Sequence, residues 1–187
     1  MIPHHVTVFG GAQPLPGESA YIDAQRLGRE LALAGYAVLT GGYVGTMEAV
    51  SRGAAEAGGH VIGVTCAEIE NWRKTAPNAW VREERRFDTL RERLFGLIDG
   101  CDAAVALPGG IGTLAEIALL WNQMSIDAIP HRPLILIGSG WNATFEAFFA
   151  THGGYLRPGE HQGVTFANTV DDALHELKCS FDGLTPP

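Results

Sequence analysis

Cysteine is scarce. Cys66, Cys101 and Cys179 are three in 187 residues, too far apart and too odd in number for a disulfide framework or a zinc site. The seven histidines show no metal-ligand spacing, so no metal is expected. Cations are also few: 13 Lys and Arg against 21 Asp and Glu leave a net charge of −8, which disfavours non-specific nucleic-acid binding. No apolar run approaches the length of a membrane span. The start, Met1-Ile2-Pro3-His4-His5, lacks the basic region and apolar core of a secretory leader. These absences predict a soluble cytosolic protein with no membrane and no nucleic-acid partner. Two nucleotide signatures are missing as well. Gly10-Gly11-Ala12-Gln13-Pro14 does not give Gly-x-Gly-x-x-Gly, and Thr40-Gly41 stands where an acid would take a dinucleotide ribose. There is no Gly-Lys-Ser/Thr of a P-loop either.

What is present is an ordinary globular balance, 46% hydrophobic and 18% charged, in a chain long enough for one α/β domain over residues 1–187. Short apolar runs read as buried strands at Val6–Phe9, Tyr36–Leu39, His60–Val64, Ala103–Leu107 and Pro133–Ile137. Helical spacing links Tyr21, Ala24, Leu27 and Leu31, with Ser19 as the expected cap, and then Met47, Val50 and Ala54. A helix is expected to resume near Glu83 with Phe87, Leu90, Leu94, Leu97 and Ile98 inward, and others at Leu114–Met124, Asn142–Ala150 and Val170–Leu177. Alternation of this kind predicts a Rossmann-like doubly wound parallel sheet flanked by helices, with strands ordered 3-2-1-4-5. The core spans about residues 6–150, followed by a C-terminal helix and a frayed tail ending Thr185-Pro186-Pro187. Cys66 to Glu84 has no clear period and reads as a long lid or binding loop. Its Trp72 and Trp80 are expected to pack on the core or on a partner. Arg82, Arg85 and Arg86 are expected at a solvated helix entry.

Glycine turns follow three of these strands, and all three fall on the edge where such sheets bind ligands. The most informative is Pro108-Gly109-Gly110-Ile111-Gly112-Thr113-Leu114-Ala115-Glu116. Glycines at a strand-to-helix turn allow close backbone approach, and the first free N–H groups of the helix favour an anion. Thr113 adds a hydroxyl, and Glu116 follows one turn along the same face. A phosphate site with an acid at its rim suits chemistry on a nucleotide. The alternative for Glu116 is a solvated first-turn glutamate. In Leu90-Arg91-Glu92-Arg93 the two arginines point to different sides of a helix, so only one can face the site.

The chain resembles the LONELY GUY family, whose hallmark Pro-Gly-Gly-x-Gly-Thr-x-x-Glu is matched in full by Pro108 to Glu116. Gly41-Gly42, Gly45 and Met47 match its second loop, and Arg93 matches its arginine before the fourth strand. The resemblance runs from about Val6 to Ala150. It implies a homodimeric enzyme that hydrolyses the N-glycosidic bond of a nucleoside 5′-monophosphate to free base and ribose 5-phosphate, without a cofactor. Glu116 and Arg93 would be catalytic, the arginine keeping the acid ionised or clasping the ribose and phosphate. Gly109, Gly110, Gly112 and Thr113 would hold the phosphate, and Gly11, Gly42 and Gly45 would allow close approach. A non-catalytic carrier or sensor of a phosphate ligand is the alternative on the same fold. One residue departs from cytokinin-activating members: Leu94 stands where they have lysine, with Arg91 the nearest cation. Trp121 and Met124 are the expected core of the dimer contact.

Overall fold

The computed structural model describes residues 4–183. Seven strands form one parallel sheet: β1 (His5–Phe9), β2 (Ala37–Thr40), β3 (Val61–Cys66), β4 (Glu83–Phe87), β5 (Ala103–Ala106), β6 (Leu134–Ile137) and β7 (Thr165–Ala167). Their order is β4-β3-β2-β1-β5-β6-β7. Val6 pairs with Val38 on one side and Ala103 on the other, so β1 is central. The five strands legible in the sequence therefore stand in the expected order, with β4 and β7 added at the two edges.

Helices connect the strands: α1 (Ser19–Leu33), α2 (Thr46–Glu56), α3 (Ala67–Arg73), α4 (Leu90–Asp99), α5 (Ile111–Ser125), α6 (Ser139–His152) and α7 (Val170–Phe181). One face of the sheet packs Val6, Val38, Val61 and Val105 against Leu27, Leu31, Val50 and Leu177 of α1, α2 and α7. The other packs Leu39, Ile62, Ala104 and Leu136 against Leu97, Ile117, Leu120 and Phe145 of α4, α5 and α6. Burial on both faces explains why these strands read as continuous apolar runs rather than alternations. α1 and α2 cross closely because Gly28 and Gly53 have no side chain. A methyl at either position would overlap the main-chain carbonyl of Val50 or Gln25.

The region 66–87 differs from expectation. It is not one long loop, since α3 occupies its start. No helix begins at Glu83, because that segment is strand β4, paired residue by residue from Ile62↔Glu83 to Cys66↔Phe87. β4 is an edge strand, so its partly exposed faces carry charge instead of apolar side chains. Arg85 pairs with Glu83 at 2.8 Å and Arg86 with Glu70 of α3 at 2.6 Å. Of the three arginines expected at a helix entry, Arg85 and Arg86 are thus strand residues and Arg82 directly precedes the strand. The helix itself starts at Leu90, fixed by a capping box in which Thr89 accepts from Glu92 N–H while Glu92 accepts from Thr89 N–H. At the other end, Glu18 rather than Ser19 precedes the first turn of α1, with no side-chain cap.

Candidate active site

Every strand runs the same way, so every strand-to-helix turn lies on one edge of the sheet. There the three glycine loops are bonded together through Gly11. Its N–H donates to Pro108 O at 3.2 Å, and its carbonyl accepts from Thr46 N–H at 2.9 Å and from the Thr46 hydroxyl at 3.0 Å. Gly45 has φ +74°, and a Cβ there would sit 2.6 Å from Ala12. Gly42 has φ +77°, and a Cβ there would sit 2.8 Å from the Thr65 methyl. The close approach these two residues permit is to the protein's own chain. Gly42 O is further held by Asn78, from its N–H at 2.8 Å and its side-chain amide at 3.0 Å. Asn78, unremarkable in sequence, is what closes the loop.

The turn into α5 is different. Gly109 lets Thr113 tuck beneath it, buried, where any Cβ would collide with the Thr113 side chain. Gly110 and Gly112 have nothing near their Cβ positions and are exposed. The helix carries no side-chain cap and no acid in its first turn. Open N–H groups with no competing carboxylate make this helix start receptive to an anion. A cleft of about 360 Å³ flanks it, lined by Pro108, Gly109, Gly138, Ser139, Gly140 and Thr144.

One turn on, Glu116 is buried, only 8% exposed. Arg93, at 4%, reaches it from α4 with Nη1 3.7 Å from Oε1. The guanidinium is seated by main-chain acceptors: Nε donates to Val64 O at 2.8 Å and Nη2 to Gly41 O at 3.2 Å. Gly41 is required for this seat, since a methyl there would overlap the guanidinium and the Met47 sulfur. The Tyr43 ring lies beneath Arg93, 5.6 Å from Cζ to centroid. Burial pushes the Glu116 carboxyl up to about 7, and Arg93 pulls in the opposite direction without overcoming it. A carboxyl poised near neutrality can hold or release a proton at working pH.

The sequence pair Arg93 and Glu116 is therefore brought together, and Gly41 and Tyr43 join them. The solvated reading of Glu116 does not hold. Arg91 is exposed and lines a groove beside β4 with Arg85, Phe95 and Asp99, so it does not stand in for the cation absent at half-buried Leu94. Trp72 is 75% exposed on α3, whereas Trp80 is partly buried with Arg52 over its ring at 5.5 Å. Trp121 and Met124 point into their own chain. The Trp121 indole donates to Glu160 O at 3.0 Å and contacts Phe145 and Phe149, so neither residue is a dimer-contact core. Their helix is amphipathic toward the sheet, and its exposed positions are Ile111, Gly112, Ala115, Ala118 and Asn122, with Ile126 exposed just past its end. Among the described residues no cluster of three metal-ligating side chains occurs, and no helix is long and apolar enough to cross a membrane.

Comparison with known proteins places this edge in context. The SLOG cluster4 family model matches residues 3–151. A probable cytokinin riboside 5′-monophosphate phosphoribohydrolase of Oryza sativa subsp. japonica is 32% identical, over 97% of this chain and 73% of its own. A cytokinin riboside 5′-monophosphate phosphoribohydrolase of Mycobacterium tuberculosis is 29% identical, over 90% of both. Among solved structures, the molybdenum cofactor binding protein of Rippkaea orientalis superposes with TM-score 0.74 at 26% identity, covering 95% of this chain and 97% of that one. The molybdenum cofactor carrier protein of Chlamydomonas reinhardtii gives 0.73 at 25% identity, covering 96% and 99%.

Proposed function

The chain belongs to the LONELY GUY (SLOG cluster4) family, and from that premise we propose that it is a nucleoside 5′-monophosphate phosphoribohydrolase. The bond from the ribose C1′ to the base nitrogen breaks, with its electron pair leaving on the base. Water adds its oxygen to C1′, and its protons end on the new hydroxyl and on the base. The observation that carries this reading is the buried Glu116–Arg93 pair one turn from an uncapped, glycine-lined helix start. The 5′-phosphate would sit on the N–H groups at Gly110, Gly112 and Thr113, with Gly109 allowing Thr113 to approach. Ionised Glu116 would face the positive charge that develops at C1′, or take the proton of the attacking water. Arg93 would hold that carboxylate in place from its seat between Gly41 and Val64. Gly11, Gly42 and Gly45 would act by fixing the loop backbones beside the ligand.

We further place the protein in the cytosol, a reading supported by three free, buried cysteines. It would act as a homodimer through the outward face of α5, where Ile111 is 82% exposed, Ala115 and Ala118 follow, and Asn122 leads to Ile126 just past the helix end. One residue range, 1–187, would form a single domain.

Purified protein incubated with a panel of nucleoside monophosphates, followed by chromatography for free base, tests the activity. Release from at least one nucleotide is expected, with a loss of about 100-fold or more in Glu116→Gln. The likeness to molybdenum cofactor carriers over nearly the whole chain favours a second reading, a carrier of a phosphate-bearing ligand. No release across the panel, together with a nucleotide-induced rise in melting temperature, would favour it.

A further inference from the structure

We propose that Tyr43 is a positioning residue: its ring and hydroxyl hold the Arg93 guanidinium against Glu116 and tie that pair to the start of α3. The inference rests on the hydrolase reading only for its kinetic consequence, because the geometry stands without it.

Tyr43 is 1% exposed, yet it follows Gly41-Gly42 in a loop where a small residue would satisfy the turn. Its hydroxyl is pinned from both sides by one residue, donating to Cys66 O at 3.1 Å and accepting from Cys66 N–H at 2.8 Å. Cys66 ends β3 and precedes the first turn of α3. The ring in turn lies beneath Arg93. The guanidinium is thus held by Val64 O, by Gly41 O and by the aromatic face. Its Nη1 faces Glu116. The two carbonyls hold Nε and Nη2, and the Tyr43 ring adds a contact of a different kind, an aromatic face with its centroid 5.6 Å from Cζ. The titratable and charged groups that bear on the tyrosine are Cys66, Glu70 of α3, Arg86 of β4 and Arg93 itself. Arg93 is the charged group that bears on Glu116. Any loosening of Arg93 must therefore register in the proton affinity of Glu116, which makes the role measurable. Burial raises the Tyr43 phenol above its ordinary value, so it stays neutral and remains a donor through the working pH range.

The test is a carboxyl titration of ligand-free protein carrying ¹³C-labelled glutamate, with the Glu116 signal assigned by its loss in Glu116→Gln. Tyr43→Leu removes the ring, and the Glu116 proton affinity is expected to rise about tenfold. Because that variant loses packing and two hydrogen bonds, a second series keeps the ring: Tyr43→Phe, then the same substitution with progressively fluorinated phenylalanines that weaken the negative ring face. Proton affinity should climb stepwise along the series. With a cleaved nucleotide, kcat should fall in parallel and its pH limb should move with the titration. A merely structural Tyr43 would lower the melting temperature and leave the Glu116 titration where it is in every variant, and that result overturns the inference. If no nucleotide is cleaved at all, the hydrolase reading fails while the titration still decides the role of Tyr43.

Discussion

Glu116 is a carboxyl buried beside one cation, and its folded value near 7 lies above the ordinary 4.5. The folded protein therefore keeps a proton between these values that the unfolded chain releases. The stability this contributes is complete below about pH 4.5 and lost as pH rises through about 7, a change of about 3 kcal/mol at most. Melting temperature measured against pH should fall across that window relative to Glu116→Gln, which lacks the proton; parallel curves would contradict the assignment. Gly41→Ala is expected to act on function before stability, since the added methyl displaces a guanidinium rather than backbone. Turnover should drop at least tenfold while the melting temperature moves by only a few degrees. At this scale the sequence exposed the chemistry but not its support. Glu116 and Arg93 announce themselves by motif and spacing. Gly41 stands in the second-loop motif but not as a seat for Arg93, and Tyr43 carries no signal, because what both do depends on an arginine 52 positions from Gly41 in sequence.

Elements were legible in proportion to how much of them is buried. β1, β2, β3, β5 and β6 are enclosed on both faces and read directly as apolar runs. β7 is three residues long, too short to show a period. β4 is Glu-Glu-Arg-Arg-Phe, a sequence with no apolar alternation, and only pairing with β3 makes it a strand. Its charges suit an edge that must not recruit another strand. α4 begins later than the leucine pattern implied because the Thr89–Glu92 capping box, rather than hydrophobic spacing, sets its first turn. Thr89→Ala should cost about 1 kcal/mol in denaturant unfolding, with little effect on the slope of the transition. Gly53→Ala should cost more, about 2 kcal/mol or above, because its methyl meets the Gln25 carbonyl on α1 and backbone cannot swing aside.

For the whole molecule, the dimer expectation moved from one side of α5 to the other. The inward residues Trp121 and Met124 complete the chain's own aromatic core, leaving Ile111, Ala115, Ala118 and Ile126 outside. Sedimentation at micromolar concentration should show a dimer, and Ala118→Arg should shift it to monomer without altering the far-ultraviolet spectrum; a monomeric parent protein would refute the assembly. The single direction of all seven strands has a consequence beyond topology. Each helix that returns from the glycine-loop edge carries its peptide dipoles in nearly the same sense, and α1, α5 and α6 have no acid in the first turn, so their positive ends stay uncompensated there, whereas Glu48, Glu68, Glu92 and Asp171 temper those of α2, α3, α4 and α7. A protein of net charge −8 can thereby present a locally positive field to a phosphate dianion. It repels polyanions in bulk and still guides a small one to a single rim of the molecule.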